Sequence, residues 1–261
     1  MCKMKEYCYA GDFAGVLLTF SFRHPDSAAY FNEWLYPEDP CIRFCSSSSD
    51  CMDIVRVPKS DCDCWIQDFG MGDNGNTEFG MSVYRASDLL LRHNRCLFHG
   101  AAILWQNKAW LFAADSGIGK STQLKHWTQL YPDEVQIING DKPILRLEEN
   151  GSISVYPSPW KGKEEWGDDT LAAPLGGIII LKQGKENRIE LLQPAACAAR
   201  ILSLFFSSFE TKDIIEMLCR FEESLIDRNP VWRLTNLGDL NAAVLTHDTL
   251  SKWLEKNNWF N

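Results

Sequence analysis

One short run constrains the fold of this chain more than any other. In it, an apolar strand-like segment leads directly into a glycine-rich loop, and a helix is predicted to begin directly after the loop. The run is Leu111–Thr122, with the sequence LFAADSGIGKST. Backbone N–H groups around Gly117 and Gly119 can surround phosphate oxygens, and the helix N-terminus adds the positive end of its dipole. Lys120 can reach the β- and γ-phosphates, and the Ser121 hydroxyl can ligate Mg²⁺. The run therefore predicts a P-loop that binds a nucleoside triphosphate.

The loop departs from the pattern G-x-x-x-x-G-K-[ST] at its first position, where Ala114 replaces glycine. The departure is mild, because the end of the strand needs a small residue more than it needs a positive φ angle. A chance glycine loop between a strand and a helix is the alternative interpretation. The residues expected to hold the nucleotide are Asp115, Ser116, Gly117, Ile118, Gly119, Lys120, Ser121 and Thr122.

Two motifs flank the loop and narrow the type of fold. His99 lies 21 positions before Lys120, and a strand-like run at 135–139 ends in Asn-Gly-Asp141. With the loop, these motifs resemble the HPr kinase/phosphorylase group, within the phosphoenolpyruvate-carboxykinase-like class of P-loop folds, over about residues 96–250. The resemblance implies an α/β (mixed α+β) fold, in which a P-loop domain of that type follows a smaller α+β N-terminal region. It also implies kinase chemistry with ATP, or another nucleoside triphosphate, and Mg²⁺.

The catalytic candidates are Asp141, Lys120 and His99. Asp141 follows its strand at the carboxyl end, which lies close to the P-loop in this kind of sheet. The resembled family carries an acidic pair here, one member of which acts as base toward a serine hydroxyl, but Gly140 stands in the first position of this chain. Asp141 is therefore open to interpretation as a base, a Mg²⁺ ligand, both, or a simple turn residue. His99 could contact the phosphates, hold Asp141, or be structural.

The segment Trp160–Glu165 is a second candidate site. Lys161 and Lys163 suit a phosphate clamp, and Glu164 could complete a Mg²⁺ shell. The expected metal ligands are Ser121, Asp141 and Glu164. An exposed charged loop is the alternative. Two arginines, Arg188 and Arg200, are further candidates for supporting transition-state charge, or are surface residues.

Composition excludes several classes of partner. The chain has 261 residues, 45% of them hydrophobic and 23% charged, as in globular proteins. A net charge of −9 with no basic stripe argues against a nucleic-acid partner. No apolar run is long enough to span a bilayer, and the N-terminus does not resemble a signal peptide. We therefore expect a cytoplasmic protein without a membrane partner, and leave a homo-oligomer open.

Ten cysteines are many for a chain of this length. Five of them cluster at Cys41, Cys45, Cys51, Cys62 and Cys64. Their spacing lacks the paired C-x2-C arrangement that indicates zinc, and no secretion signal favours a disulfide framework. Reduced thiols are the expected state, and a metal site is the weaker alternative.

The sequence divides near residue 90 into an N-terminal α+β region of unknown role (1–90) and a P-loop domain (91–261). In the first part we expect a helix at 27–35, a turn-rich loop at 70–76, and strands at 15–22, 41–44, 52–57 and 79–84. The second part predicts strands at 101–105, 109–113, 135–139, 144–147, 153–156, 177–182, 189–192 and 230–234. Its predicted helices are 87–95, 119–130, 195–208 and 211–227, with a closing helix pair at 239–257.

These observations together predict a Mg²⁺-dependent kinase that transfers the γ-phosphate of ATP to a hydroxyl group. Serine on a peptide or small protein is the favoured acceptor. A small-molecule kinase would use the same nucleotide site, and a non-catalytic nucleotide-binding accessory protein or sensor is the third alternative. The missing acidic partner of Asp141 keeps that last alternative open.

Overall fold

A nine-stranded mixed sheet carries the P-loop run on a central strand. The computed structural model describes residues 7–27, 53–56, 59, 67 and 72–257. The strands of this sheet are β4 (Arg95–Leu97), β5 (Gly100–Trp105), β6 (Lys108–Ala113), β7 (Gln136–Asn139), β8 (Ile144–Leu147), β9 (Ile153–Tyr156), β10 (Ala173–Gln183), β11 (Arg188–Leu191) and β12 (Val231–Asn236). Three further strands form a separate N-terminal sheet: β1 (Tyr7–Asp12), β2 (Leu17–Phe22) and β3 (Asp53–Arg56).

The long strand β10 joins two parts of the nine-stranded sheet. Its first residues pair with β9, which continues through β8 to β4 in antiparallel fashion. Its remaining residues lie parallel to β6 on one side and to β12 on the other. Strand β5 pairs antiparallel with both β6 and β7, and β11 closes the other edge against β12. The P-loop strand β6 therefore has a hydrogen-bonded neighbour on each side.

Helices cover both faces of this sheet. They are α1 (Gly75–Leu91), α2 (Lys120–Leu130), α3 (Pro194–Leu202), α4 (Lys212–Arg228) and α5 (Leu240–Lys256). Alternation along β6 directs Leu111 toward the core beneath α3 and α4, and Trp110 and Phe112 toward the core beneath α2 and α5. The mixed α/β class is therefore confirmed. No helix in the described part of the chain is both long and apolar enough to cross a membrane.

A third apolar cluster joins the N-terminal sheet to the rest of the chain. It contains Phe13 and Phe20 from the first strands, Phe79 and Val83 from α1, and Trp160 from the second half of the chain. Because these side chains share one core, the N-terminal sheet and α1 pack against the strands around β8. The proposed division at residue 90 stays a prediction.

Helix α1 corrects two predictions. The expected strand at 79–84 is wrong, since these residues lie in α1, and the helix expected at 87–95 begins earlier and ends at Leu91. Asn74 caps the helix by accepting from the Thr77 N–H at 3.1 Å. Apolar residues recur at helical spacing and are buried along one side of α1: Phe79, Val83, Ala86 and Leu90. The run FGMSVY is therefore helical despite its β-forming residues, because its apolar side chains are spaced to form one buried face of a helix.

Other differences are local. The helix expected at 195–208 ends at Leu202, because the following residues pair with the strand before His99: Leu204 accepts from the His99 N–H, and Phe206 donates to Leu97. The expected helix pair at 239–257 is the single helix α5. The remaining strands and helices predicted after residue 96 are present, with ends that differ by a few residues.

Several predictions fall outside the described residues. They are the strand at 41–44, the helix at 27–35 beyond Ser27, the first residues of the turn-rich loop at 70–76, and the cysteine cluster Cys41–Cys64. Three described cysteines are free thiols, Cys96 and Cys197 buried and Cys219 exposed. Within the described ranges no three His, Cys, Asp or Glu side chains form a ready-made metal site.

Candidate functional site

The loop after β6 has the backbone conformation that its glycines permit. Gly117 and Gly119 have φ angles of 81° and 117°, in the left-handed region that favours glycine. A Cβ on Gly117 would meet nothing within 4 Å, so the backbone angle, and not crowding, requires glycine there. Helix α2 begins directly at Lys120. The N–H groups of its first turn have no partner within the helix, which is the arrangement that suits an anion.

Lys120 is buried at the base of this loop, with 9% of its surface exposed. Its Nζ donates to the Ala114 carbonyl at 3.0 Å and lies 2.9 Å from His99 Nε2. Burial lowers the pKa of Lys120, while the nearby Asp141 carboxylate opposes that shift. The ammonium group is thus held at the loop by the Ala114 carbonyl and lies against the His99 ring.

Asp141 is positioned by the end of strand β7. The buried Asn139 side chain accepts from the backbone N–H groups of Asp141 and Lys142, at 2.9 and 2.8 Å. Its amide nitrogen donates to the Ser158 carbonyl at 3.0 Å. Asn139 therefore fixes the turn that presents Asp141, a role that the sequence alone did not reveal.

The Asp141 carboxylate contacts two cationic or ionisable groups. One oxygen lies 3.5 Å from His99 Nε2, and the other accepts from Lys142 Nζ. Burial alone would raise the pKa of Asp141, but the hydrogen bond to His99 and the charge of Lys142 outweigh it and hold this pKa well below its usual range. Asp141 is therefore ionised at neutral pH. His99 lies between Lys120 and Asp141 and connects the loop to the carboxylate.

The segment after Trp160 crosses directly over this turn. A Cβ on Gly140 would lie 2.6 Å from the Lys161 carbonyl, and one on Gly162 would lie 2.9 Å from Asp141 Cβ. The Gly140 N–H donates to the Trp166 carbonyl at 2.8 Å. Two glycines are therefore needed for this close approach, and the segment forms a cover on the Asp141 side of the loop.

The charged residues of that segment have different environments. Lys161 Nζ donates to Asp169 at 2.8 Å, so its charge is already paired in this structure. Lys163 and Glu164 are exposed and line the same cleft as the P-loop. The structure thus brings all three residues to the cleft, with the two exposed ones available to a ligand.

The cleft has a volume of about 1190 Å³ and three walls. The first wall is the P-loop, the second is the turn at Asp141 with the segment from Pro159 to Glu165, and the third is an α1 face together with Phe206. The α1 residues that line it are Asn76, Phe79, Gly80, Val83 and Tyr84. The sequence analysis missed this third wall because it assigned 79–84 to a strand and Asn76 to a loop. The helical spacing of the α1 residues was the available signal.

Of the two candidate arginines, neither lines the cleft. Arg200 Nη1 lies 2.9 Å from Asp115 Oδ1, so it contacts the first residue of the loop from outside. Arg188 pairs with Glu190 on the β11 edge strand. Lys142 is instead the cation beside Asp141, and it also lies 5.3 Å from the centre of the Phe206 ring.

No protein-family model and no curated protein matches the sequence. Among solved structures, one similar chain is the Hpr(Ser) kinase/phosphatase from Coxiella burnetii. The two chains share 11% sequence identity with a TM-score of 0.35, over 62% of this chain and 98% of that one. The likeness is a distant one.

Proposed function

We propose that this chain is a Mg²⁺-dependent kinase that transfers the γ-phosphate of ATP to a hydroxyl group, with serine on a peptide or small protein as the acceptor. The observation that supports the proposal is that Lys120 and Asp141 line one cleft and both contact the same nitrogen of His99, Nε2, at 2.9 and 3.5 Å. A lysine suited to bind phosphate and an ionised carboxylate therefore meet at one imidazole nitrogen.

In this proposal, different residues of the cleft bind the phosphates and contact the acceptor hydroxyl. Backbone N–H groups of the loop and Lys120 bind the phosphates and neutralise charge that develops on them. Asp141 lies beside the same nitrogen of His99 and lines the cleft, and in this proposal the acceptor hydroxyl approaches its carboxylate. The cleft is large enough for both a nucleotide and part of an acceptor, and the α1 wall is the side left for the acceptor.

The donor set fits Mg²⁺, which prefers oxygen ligands and is commonly held by one or two carboxylates together with substrate phosphates. Ser121 and Asp141 supply a hydroxyl and a carboxylate at the cleft, and Glu164 adds an exposed carboxylate. Mg²⁺ bound there would neutralise phosphate charge during transfer.

The low pKa of Asp141 bears on its role. A general base works best with a pKa near the operating pH, so a strongly acidic carboxyl is a weak proton acceptor. In its present contacts Asp141 is suited to bind metal or to orient a hydroxyl. It becomes a better base only where Lys142 moves away from it.

The contacts of Asp141 also favour one second candidate, a nucleotide sensor without transferase activity. The carboxylate is occupied by Lys142 and has Gly140 where the resembled family has a second aspartate. A sensor would need the P-loop but not a free carboxylate.

Binding and transfer are tested separately. ATP with Mg²⁺ should raise the melting temperature of the wild-type protein, because a ligand that binds only the folded state stabilises it. Lys120→Ala should remove most of this shift, whereas Lys125→Ala, an exposed lysine on the same helix, should keep it. Equal shifts in all three proteins would exclude the P-loop as the nucleotide site.

Transfer is then measured with γ-labelled ATP, a library of serine-containing peptides, matched alanine peptides and a pool of hydroxylated metabolites. If Asp141 activates the acceptor hydroxyl, Asp141→Asn should keep ATP binding and reduce transfer by about 10²–10⁴-fold, the range of a general-base contribution. Its exposed control is Asp133→Asn. Loss of ATP binding along with transfer would assign Asp141 to the metal. Tight ATP binding with no labelled acceptor of any kind would replace the kinase proposal by the sensor.

A further inference from the structure

A second pocket lies away from the cleft and gathers three arginines. Its volume is about 510 Å³, and its lining includes Arg95 on β4, Arg146 on β8 and Arg228 at the end of α4. Two carboxylates, Glu148 and Glu149, also line it. Glu149 is exposed, and Glu148 pairs with Arg146 Nε at 3.0 Å.

Arg95 and Arg146 stand directly opposite each other in the antiparallel ladder of β4 and β8. Like charges in such a cross-strand pair are destabilising. The two side chains extend to the same place, because a Cβ on Gly15 would lie 3.4 Å from Arg95 Nη2 and 3.6 Å from Arg146 Nη1. The ladder therefore holds two guanidinium groups side by side against the N-terminal sheet.

Arg95 has no carboxylate in direct contact with its guanidinium among the described residues. Its guanidinium donates to the backbone carbonyls of Ala14 and His93. Burial and the neighbouring Arg146 lower the pKa of Arg95, and the carboxylates of Glu148 and Asp12 oppose that shift only in part. A half-buried cation beside another cation is unfavourable unless an anion joins them.

Arg228 approaches the pocket from the opposite side. Its Nη1 donates to the Asn150 carbonyl at 3.0 Å, and its guanidinium covers Gly151, where a Cβ would lie 2.7 Å from Cζ. The turn between β8 and β9 thus holds the third arginine at the rim, where Ser224 on the same helix adds a hydroxyl.

We propose that this pocket binds a phosphate-class oxyanion, either free phosphate or the phosphate group of a small metabolite. Arginine forks match phosphate oxygens in bidentate geometry, and a bound dianion would compensate the pair Arg95 and Arg146. The volume of the pocket lies in the range of sites for small organic ligands, so there is room for more than the phosphate group itself.

The same two strands connect this pocket to the cleft. Strand β4 ends two residues before His99, and β8 begins three residues after Asp141. The Phe98 N–H donates to the Pro143 carbonyl, and the Gly100 N–H donates to the Asp141 carbonyl. The pocket and the cleft therefore lie along the same two-stranded ladder.

The experiment measures binding of inorganic phosphate, ribose 5-phosphate and ribose by calorimetry and thermal shift at constant ionic strength. Lys120→Ala provides the background, because it disables the P-loop as a competing phosphate site; Lys120→Met is the second background should the first fold poorly. Saturable binding of a phosphate compound, and none of ribose, is expected. Tighter binding of ribose 5-phosphate would indicate a metabolite, and equal binding would indicate free phosphate.

In that background Arg146→Gln and Arg228→Gln should each weaken binding at least tenfold. Arg220→Gln is the matched control, since Arg220 lies on the same helix and is exposed outside the pocket. Unaltered affinity in both pocket variants, or no saturable phosphate binding in either Lys120 background, would overturn the proposal.

Discussion

The side chain of Asp141 shows how a single residue can be both functional and stabilising. Its carboxylate is buried, yet His99 and Lys142 keep it charged. A carboxyl group whose pKa is lower in the folded state than in the unfolded chain contributes stability above its unfolded pKa, here 3.8. That contribution is lost as the pH falls below this value toward the lower pKa of the folded state.

We therefore predict that Asp141→Asn lowers the free energy of unfolding by about 1–3 kcal/mol at neutral pH, the size expected for losing hydrogen bonds to charged partners. The difference from the wild type should shrink as the pH falls from about 4 toward 2. Denaturant unfolding at a series of pH values measures it, with Asp133→Asn as the control. A difference that stays constant down to pH 2 would contradict the ionised state of Asp141.

Residues whose role depends on tertiary contacts could not be identified from local sequence. Lys120 and the loop glycines were predicted because their chemistry and their spacing lie within one short run. Lys142 was not predicted as a site residue. It follows Asp141 in the sequence, but that position alone does not show that its ammonium group contacts the Asp141 carboxylate. The pairing of Arg95 with Arg146 depends on the register between β4 and β8, which the sequence does not determine.

Among the elements, α1 differs most from its prediction and contributes most to the cleft. Asn76, Gly80 and Tyr84 recur every four residues and line the same wall. A glycine inside a 17-residue helix costs about 1 kcal/mol relative to alanine. Gly80 is half-buried and lines this wall, beside the path that we propose for the acceptor.

We predict that Gly80→Ala raises the stability of the free protein by about 0.5–1 kcal/mol and that Gly80→Leu blocks transfer to the acceptor while ATP still binds. Thermal unfolding, ATP-induced thermal shift and the transfer assay separate these effects. Met81→Ala, on the same turn but outside the cleft lining, is the control. Full transfer activity in Gly80→Leu would exclude this part of α1 from the acceptor path.

Strands and helices differed in how well they could be predicted. Buried strands such as β5 and β6 are short apolar runs bounded by turn residues, so their positions were clear from the sequence. Strand β10 is longer than its prediction of 177–182 and begins at Ala173. The end of α3 was not, because Leu204 and Phe206 leave the helix to pair with the backbone at His99 and Leu97. That choice depends on a strand about 100 residues away, beyond the reach of any local pattern.

At the scale of the whole molecule, Trp160 connects the N-terminal sheet to the cleft. Its ring lies 5.9 Å from that of Phe13 and 5.8 Å from that of Phe79, where it stacks. The next residues of the chain cross over Asp141. The N-terminal core therefore supports the cover of the candidate site.

We predict that Trp160→Ala destabilises the protein by about 3–5 kcal/mol, as expected when a large buried aromatic ring is removed, and weakens ATP binding as well. Trp160→Phe should retain most of both properties. Denaturant unfolding and the ATP-induced thermal shift report the two effects. Loss of stability without any change in ATP binding, measured well below the melting temperature, would show that the cover does not need the N-terminal core.

The position of β6 has a consequence for how the protein is made. This strand meets β5 as soon as the two emerge from the ribosome, but its other neighbour, β10, is complete only at Gln183. At typical translation rates the intervening 114–183 take roughly 3–14 seconds to synthesise. For that time the edge of β6 next to the phosphate loop has no partner from β10, which is a period of aggregation risk for the nascent chain. A product that stops before Leu175 would thus contain the whole P-loop motif and still lack the β10 residues that pair with β6.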